Sequence, residues 1–167
     1  MRMNSIIAIA FLLSGTLIPA RRVLPIFDKL NFYQVMATEK LSDINDELVI
    51  ISASSFPEKE AYEGALLMKK AGLLKKPSAK LQTFRSGCIK LETALEKDSM
   101  NTEYHFLRLS IQEHAPRIVR YFKDLEHDRL FIDNTFNSLS PAIQKVIIDY
   151  SKHSKILHMG DFRTSTF

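Results

Sequence analysis

Hydrophobic residues recur every three or four positions through most of this chain, which is the spacing of one face of an α-helix. The most regular stripe runs through Leu81, Phe84, Cys88, Leu91 and Leu95. No run of five or more residues alternates cleanly between apolar and polar, as a half-buried strand would. From residue 38 onward the pattern therefore predicts an all-α protein.

Prolines, glycines and capping residues divide this pattern into separate helices. The predicted helices cover residues 41–51, 57–72, 78–97, 101–115 and 140–150. We predict that residues 116–136 form two helices, the second of them capped by Asp124, with one long helix as the alternative. Six or seven short amphipathic helices bury their stripes by packing as antiparallel pairs, so we expect a tetratricopeptide-like or irregular helical bundle.

The N-terminal segment differs from the rest of the chain because eighteen uncharged residues separate Arg2 from Arg21. A basic start, an apolar stretch and then small residues follow one another in the order of a secretory signal peptide. Gly15 and Pro19 interrupt the apolar run before it reaches the about 20 residues that a membrane span needs. We expect residues 1–20 to be a signal peptide, with an uncleaved anchor as the alternative.

The predicted signal peptide is the first part of the expected domain organisation, and it also indicates where the protein is located. Behind the signal peptide we predict an N-terminal lead-in over 21–37, a single helical domain over 38–151 and an irregular tail over 152–167. The chain has 167 residues, which is the length of one domain. We expect the mature protein in the periplasm or cell envelope, or secreted.

Composition and charge narrow the set of partners. The full chain carries a net charge of +4, but cleavage after Ala20 would remove Arg2 and leave basic and acidic residues nearly balanced. We therefore expect a protein or peptide partner and no nucleic acid, with membrane contact only if the N-terminal segment stays uncleaved. A single cysteine excludes an intramolecular disulfide, and Cys88 in the apolar stripe reads as a small buried hydrophobe.

The histidines are candidates for metal binding or acid–base chemistry. None of the five has a metal-binding spacing such as His-Glu-x-x-His, so we expect neither a metal nor another cofactor. The adjacent pair His127 and Asp128 could act as a general base. The alternative is that Asp128 is simply one of several acids in the first turns of a helix, where the backbone dipole favours them.

A second set of polar residues lies on the helix predicted over 101–115. Arg108 could reach inward as a bidentate partner for a carboxylate, or it could lie flat on the surface. We predict that the polar lining of any binding groove comes from Glu103, Tyr104, Arg108 and Gln112.

Two resemblances accompany these patterns. The segment 88–104, with the small residue Ala94, resembles the junction between tetratricopeptide units, where two helices approach closely. The segments NTEYHFLRLSIQ (101–112) and DLEHD (124–128), with Pro116 between them, are similar to a family of uncharacterised exported bacterial proteins, mostly of the Bacteroidota. That likeness extends from about 61 to 151. It implies export and an all-α fold, and it supplies no activity.

Two functions follow as hypotheses. The first is an exported, non-enzymatic module that binds a protein or peptide, or acts as a scaffold, in the cell envelope. The second is a small hydrolase or lipid-handling enzyme centred on His127 and Asp128. We favour the first because no spacing typical of a catalytic motif occurs in the chain.

Overall fold

The computed structural model describes residues 26–158 and Gly160, so the predicted signal peptide and the end of the tail lie outside the described residues. Seven α-helices and two short 3-10 turns make up this part of the chain, with no strand among them. The helices are α1 Lys29–Ala37, α2 Leu41–Ala53, α3 Lys59–Leu73, α4 Pro77–Lys97, α5 Thr102–His114, α6 Leu125–Thr135 and α7 Pro141–Ser151. The prediction of an all-α fold of six or seven paired helices is therefore confirmed.

Local capping determines several helix ends. The Asn101 side chain accepts hydrogen bonds from the backbone N–H groups of Glu103 and Tyr104, and so begins α5. Proline occupies the first turn of α4 and of α7, where its missing N–H removes no helical hydrogen bond. Asn101 and Pro141 are start signals on which the sequence prediction relied, whereas Pro77 had been assigned to the end of the preceding helix.

The segment before α2 contains a helix that the periodicity did not reveal. Asp28 caps α1 by accepting from the backbone N–H of Leu30. Phe32 is the one fully buried residue of the helix. The lead-in predicted over 21–37 thus contributes a helix to the described fold.

Residues 116–136 do not form one continuous helix. A 3-10 turn over Arg117–Val119 ends at Arg120, which adopts the left-handed conformation with φ 53°. The helix α6 begins only at Leu125, with Asp124 in the N-cap position. We call residues 116–124 the α5–α6 loop.

The helices α3 and α4 pack with their backbones in close contact. A Cβ atom added to Gly64 would lie 2.7 Å from the carbonyl oxygen of Gly87, and one added to Gly87 would lie 2.5 Å from that of Gly64. Real Cβ atoms do not approach backbone atoms so closely. Two facing glycines therefore allow this pair of helices to approach as it does.

The helix α5 lies at the centre of the molecule, with residues of two apolar clusters on its faces. Tyr104, Leu107 and Ile111 belong to a cluster shared with α1–α4. Phe106 and Leu109 belong to a second cluster, shared mainly with α6 and α7. Within the described part of the chain, no helix is both long and apolar enough to cross a membrane.

Candidate functional site: the buried polar face of α5

A third face of α5 is polar and buried. It carries His105, Arg108 and Gln112, which lie three and four residues apart and therefore share one side of the helix. Their exposed fractions are only 3%, 8% and 2%. Buried polar groups need hydrogen-bond partners, so the elements packed against this face must present polar groups to it.

Arg108 makes a two-pronged contact with Asp128 of α6. Its Nε donates to Asp128 Oδ2 over 2.7 Å, and its Nη2 donates to Oδ1 over 2.6 Å. Asp128 is completely buried. Burial alone would raise the pKa of its carboxyl, but the hydrogen bonds from Arg108 and His105 outweigh that effect and hold the pKa below its ordinary value.

The same guanidinium reaches a second helix. Arg108 Nη1 donates to Glu92 Oε2 of α4 over 3.0 Å. The other Glu92 oxygen accepts from the hydroxyl of Tyr121 over 2.5 Å, so the carboxylate is shared between α5 and the α5–α6 loop. Arg108 thus joins α4 to α6 through α5, which is the geometric role that a planar fork of donors can fill.

Asp124 also takes part in the hydrogen bonds made by the polar face of α5. Its side chain makes no capping hydrogen bond with α6, although it lies in the N-cap position. Instead it accepts from Gln112 Nε2 over 3.1 Å. The start of this helix was predicted correctly from the sequence. The expected capping bond of Asp124 was wrong, because its side chain accepts from the buried amide of Gln112 on α5 instead.

His105 lies beside the same carboxylate. Its Nδ1 is 2.7 Å from Asp128 Oδ1, and its Nε2 is 2.9 Å from the carbonyl oxygen of Ser99. His127, the residue before Asp128, places its Nδ1 3.3 Å from the same Oδ1. Unlike His105, it is largely exposed, with 65% of its side chain accessible.

A separate polar cluster ties α1 and α3 to the start of α5. Glu103 accepts from the hydroxyls of Tyr33 and Tyr62 and from Lys29 Nζ. Burial, followed by the nearby carboxylate, raises the pKa of the Tyr33 hydroxyl well above its ordinary value. The Tyr33 hydroxyl therefore keeps its proton, and with it the hydrogen bond to Glu103, at mildly alkaline pH.

The structure places the residues predicted from the sequence as follows. Glu103, Tyr104, Arg108 and Gln112 are all buried in the interior, in two groups around α5. Arg108 takes the inward, bidentate arrangement. We did not predict from the sequence that Glu92, Tyr121 and His105 lie around the contact between Arg108 and Asp128. No local spacing relates residues of α4, α5, the α5–α6 loop and α6 to one another.

A cavity of about 430 Å³ lies away from this face, between α1 and α2, and is lined by residues that include Asn31, Asp46 and Glu47. Glu47 is 2% exposed, and its Oε2 accepts from Asn31 over 2.7 Å, while its Oε1 has no hydrogen-bond partner. Burial raises the pKa of Glu47 above its ordinary value.

Substituting Glu47→Gln tests whether burying the Glu47 carboxyl group lowers the stability of the protein. When folding raises the pKa of an acid, the protein loses stability as pH rises toward and through that pKa, because the folded state must then hold a buried charge. We expect Glu47→Gln to raise stability by about 1 kcal/mol at pH 7.5 and to have no such effect near pH 4. Thermal unfolding at both pH values measures this.

Asp46→Asn is the matched control, since Asp46 is an exposed acid on the same helix beside the same cavity. It should change stability by less than about 0.5 kcal/mol at either pH. A Glu47→Gln protein no more stable than the wild type at pH 7.5 would show that the carboxylate is well accommodated.

The α5–α6 loop turns alternate side chains inward and outward. Val119 packs against the first apolar cluster, and Tyr121 meets Phe84 of α4 edge-on with ring centroids 5.6 Å apart. Ile118 and Phe122 point outward, with 89% and 49% of their area exposed. The loop thus presents large apolar side chains to solvent while its inner residues fix it to α4 and α5.

Comparison of this chain with protein-family models, with curated proteins and with solved structures finds no match. The functional proposal therefore rests on the geometry of the described residues.

Proposed function

We propose that the protein is an exported, non-enzymatic binding module of the cell envelope and that the α5–α6 loop, with the adjoining side of α4, contacts its protein or peptide partner. The observation that carries this proposal is the exposure of Ile118 and Phe122 on a loop that is fixed from within. Exposed large apolar residues that are held in place are typical of binding surfaces rather than of frayed segments.

The loop is held by specific bonds, so its outer side chains need little ordering on binding. Tyr121 donates to Glu92, and Asp124 accepts from Gln112. The bound conformation is then largely present beforehand, which reduces the entropy lost on association.

The chemistry of this surface indicates the kind of partner. On α4, Leu81 and Ile89 are eight residues apart, lie on one side of the helix and are exposed by 44% and 67%. Interleaved with these apolar residues are exposed cations, namely Arg85, Arg117, Arg120 and Lys123. A partner segment that combines apolar side chains with acidic ones matches this surface in both respects.

The alternative, a hydrolase centred on His127 and Asp128, has less support. Both oxygens of Asp128 already accept hydrogen bonds from Arg108. A general base needs a free acceptor to position it or to take the proton, and these bonds occupy the carboxylate that would have to do so.

Export, a periplasmic or envelope location and kinship with the Bacteroidota family belong to the same proposal, as does the tetratricopeptide-like character of the bundle. The order of residues in the N-terminal segment supports export, and the segment 88–104 with its small residue Ala94 supports the repeat-like character. The intact mass of the protein recovered from the envelope would report cleavage after Ala20.

Site-specific photo-crosslinking tests the binding surface. We expect a crosslinking residue at position 118 to capture one defined protein in envelope preparations, and the same residue at exposed Lys145 of α7 not to capture it. Adding Phe122→Asp should abolish the adduct at 118, because a charge replaces part of the apolar contact.

Equal capture from both positions would contradict the proposal. So would adducts at 118 that consist of lipid alone, since the surface would then face a membrane rather than a protein.

A further inference from the structure

We infer that His105, His127 and Asp128 form a binding site for one divalent transition-metal ion, best matched by Zn²⁺. Each residue offers one ligand atom, and the three atoms lie within 4.8 Å of one another. The Nδ1 of each imidazole is the nitrogen that faces Asp128 Oδ1. The inference is independent of the proposed protein-binding surface and departs from the sequence expectation of no metal.

The hydrogen bond at the far side of His105 orients it as a ligand. The Ser99 carbonyl oxygen can only accept, so Nε2 of His105 carries the hydrogen that occupies the 2.9 Å contact between them. Nδ1 of His105 then faces a carboxylate oxygen 2.7 Å away. This contact is favourable when a cation lies between the two atoms, either the proton of a hydrogen bond or a metal ion.

The local charge balance favours such a cation. Three carboxylates, those of Glu92, Asp124 and Asp128, surround the single guanidinium of Arg108 at distances of 4.0 Å or less. The cluster therefore retains negative charge after Arg108 is counted. A divalent ion would release any proton from His105 Nδ1 to the buffer, and Arg108 would continue to hold the Asp128 carboxylate.

The spacing of the ligand atoms fits a small ion. Zn²⁺ bonds of about 2.0–2.1 Å at tetrahedral angles put neighbouring ligand atoms about 3.3 Å apart. The separations from Asp128 Oδ1 are 2.7 Å to His105 and 3.3 Å to His127, and the ligand atoms of the three residues lie within 4.8 Å of one another. Binding would therefore open the first contact slightly and bring the two imidazoles to within reach of one ion. Two imidazoles and one carboxylate, with water in the fourth position, are a ligand set that zinc accepts.

The surroundings supply both rigidity and access. Phe131 stacks on the His105 ring with centroids 3.9 Å apart and also lies beside the His127 ring. Exposed His127 provides the route from solvent to the buried pair. The ligands come from α5 and α6, and the most distant two are 23 positions apart, which is why no local motif revealed them.

Titration of the untagged full chain with Zn²⁺ by calorimetry, and with Co²⁺ by visible absorption, tests this site. We expect one ion per chain and the ligand-field bands of a low-coordinate Co²⁺ complex. His127→Ala should weaken the affinity at least tenfold (about 1.4 kcal/mol) without unfolding the protein, because His127 is exposed.

The control is His153→Ala, which removes an exposed histidine outside the cluster and should leave binding unchanged. Absence of binding in the wild type would overturn the inference. It would equally be overturned if His127→Ala bound the ion as tightly as His153→Ala.

Discussion

Replacing Arg108 with Ala should cost the protein about 3–5 kcal/mol of stability, because it leaves Asp128 charged in the interior without its guanidinium partner. Asp128 has no exposed surface, and both of its oxygens accept from Arg108. The same substitution removes one donor to Glu92, whose other oxygen accepts from the Tyr121 hydroxyl. Urea unfolding monitored by circular dichroism measures the loss.

Arg117→Ala is the matched control, since Arg117 is an exposed arginine of the α5–α6 loop. It should change stability by less than about 0.5 kcal/mol. If Arg108→Ala were as mild as this control, the buried ion pair would not be holding α4, α5 and α6 together.

The second large effect is expected at the crossing of α3 and α4. Gly87→Ala should destabilise the protein by about 3 kcal/mol, although Ala is the better helix former. The new methyl group would lie 2.5 Å from the Gly64 carbonyl oxygen and 2.8 Å from Met68 Cγ, so the two helices would have to separate. Thermal unfolding reports the change as a lower Tm.

The same substitution at Gly72 should act in the opposite direction. Gly72 lies near the end of α3, has no atom within 4 Å of its added Cβ and does not have a positive φ. Gly72→Ala should therefore stabilise the protein by about 0.5–1 kcal/mol. Equal and favourable effects at both glycines would refute the close approach of α3 and α4.

Most of the helices could be predicted from the sequence because residues close to each helix end determine where the helix begins and stops. The predicted helix over 78–97 corresponds to Pro77–Lys97, and the one capped by Asn101 corresponds to Thr102–His114. Proline, asparagine and serine caps act within a few residues, so a linear pattern contains the necessary information. The helix Lys29–Ala37 was missed since only Phe32 is fully buried in it and no apolar stripe stands out.

The polar face of α5 could be predicted only in part. The sequence showed that Arg108 had the reach for a buried carboxylate, but four acids follow it within twenty residues and any of them could have been the partner. Asp128 was interpreted instead through its place in the first turns of α6. Choosing between these roles requires the packing of α5 on α6, which depends on apolar contacts distant in sequence.

The half-buried position of Cys88 illustrates the same limit. Its place in the stripe of α4 was predicted, and it does pack against the first apolar cluster. Its surroundings also include the Tyr121 hydroxyl and Glu92, which the stripe could not reveal. Burial, reinforced by that carboxylate, raises the pKa of the thiol.

The polar face of α5 also links the structure to the proposed function. The hydrogen bonds from Tyr121 to Glu92 and from Gln112 to Asp124 hold the α5–α6 loop against the bundle, and this loop exposes Ile118 and Phe122. Stability and presentation of the surface therefore depend on the same buried groups.

A double-mutant cycle between Arg108 and Asp128 tests this central claim most directly. The free energy of unfolding would be measured in chelator-treated buffer for the wild type, Arg108→Ala, Asp128→Ala and the double variant. If the pair is the organising contact, the double variant should lose much less than the sum of the single losses, with a coupling of about 2–3 kcal/mol. A coupling near zero, with additive losses, would contradict the account.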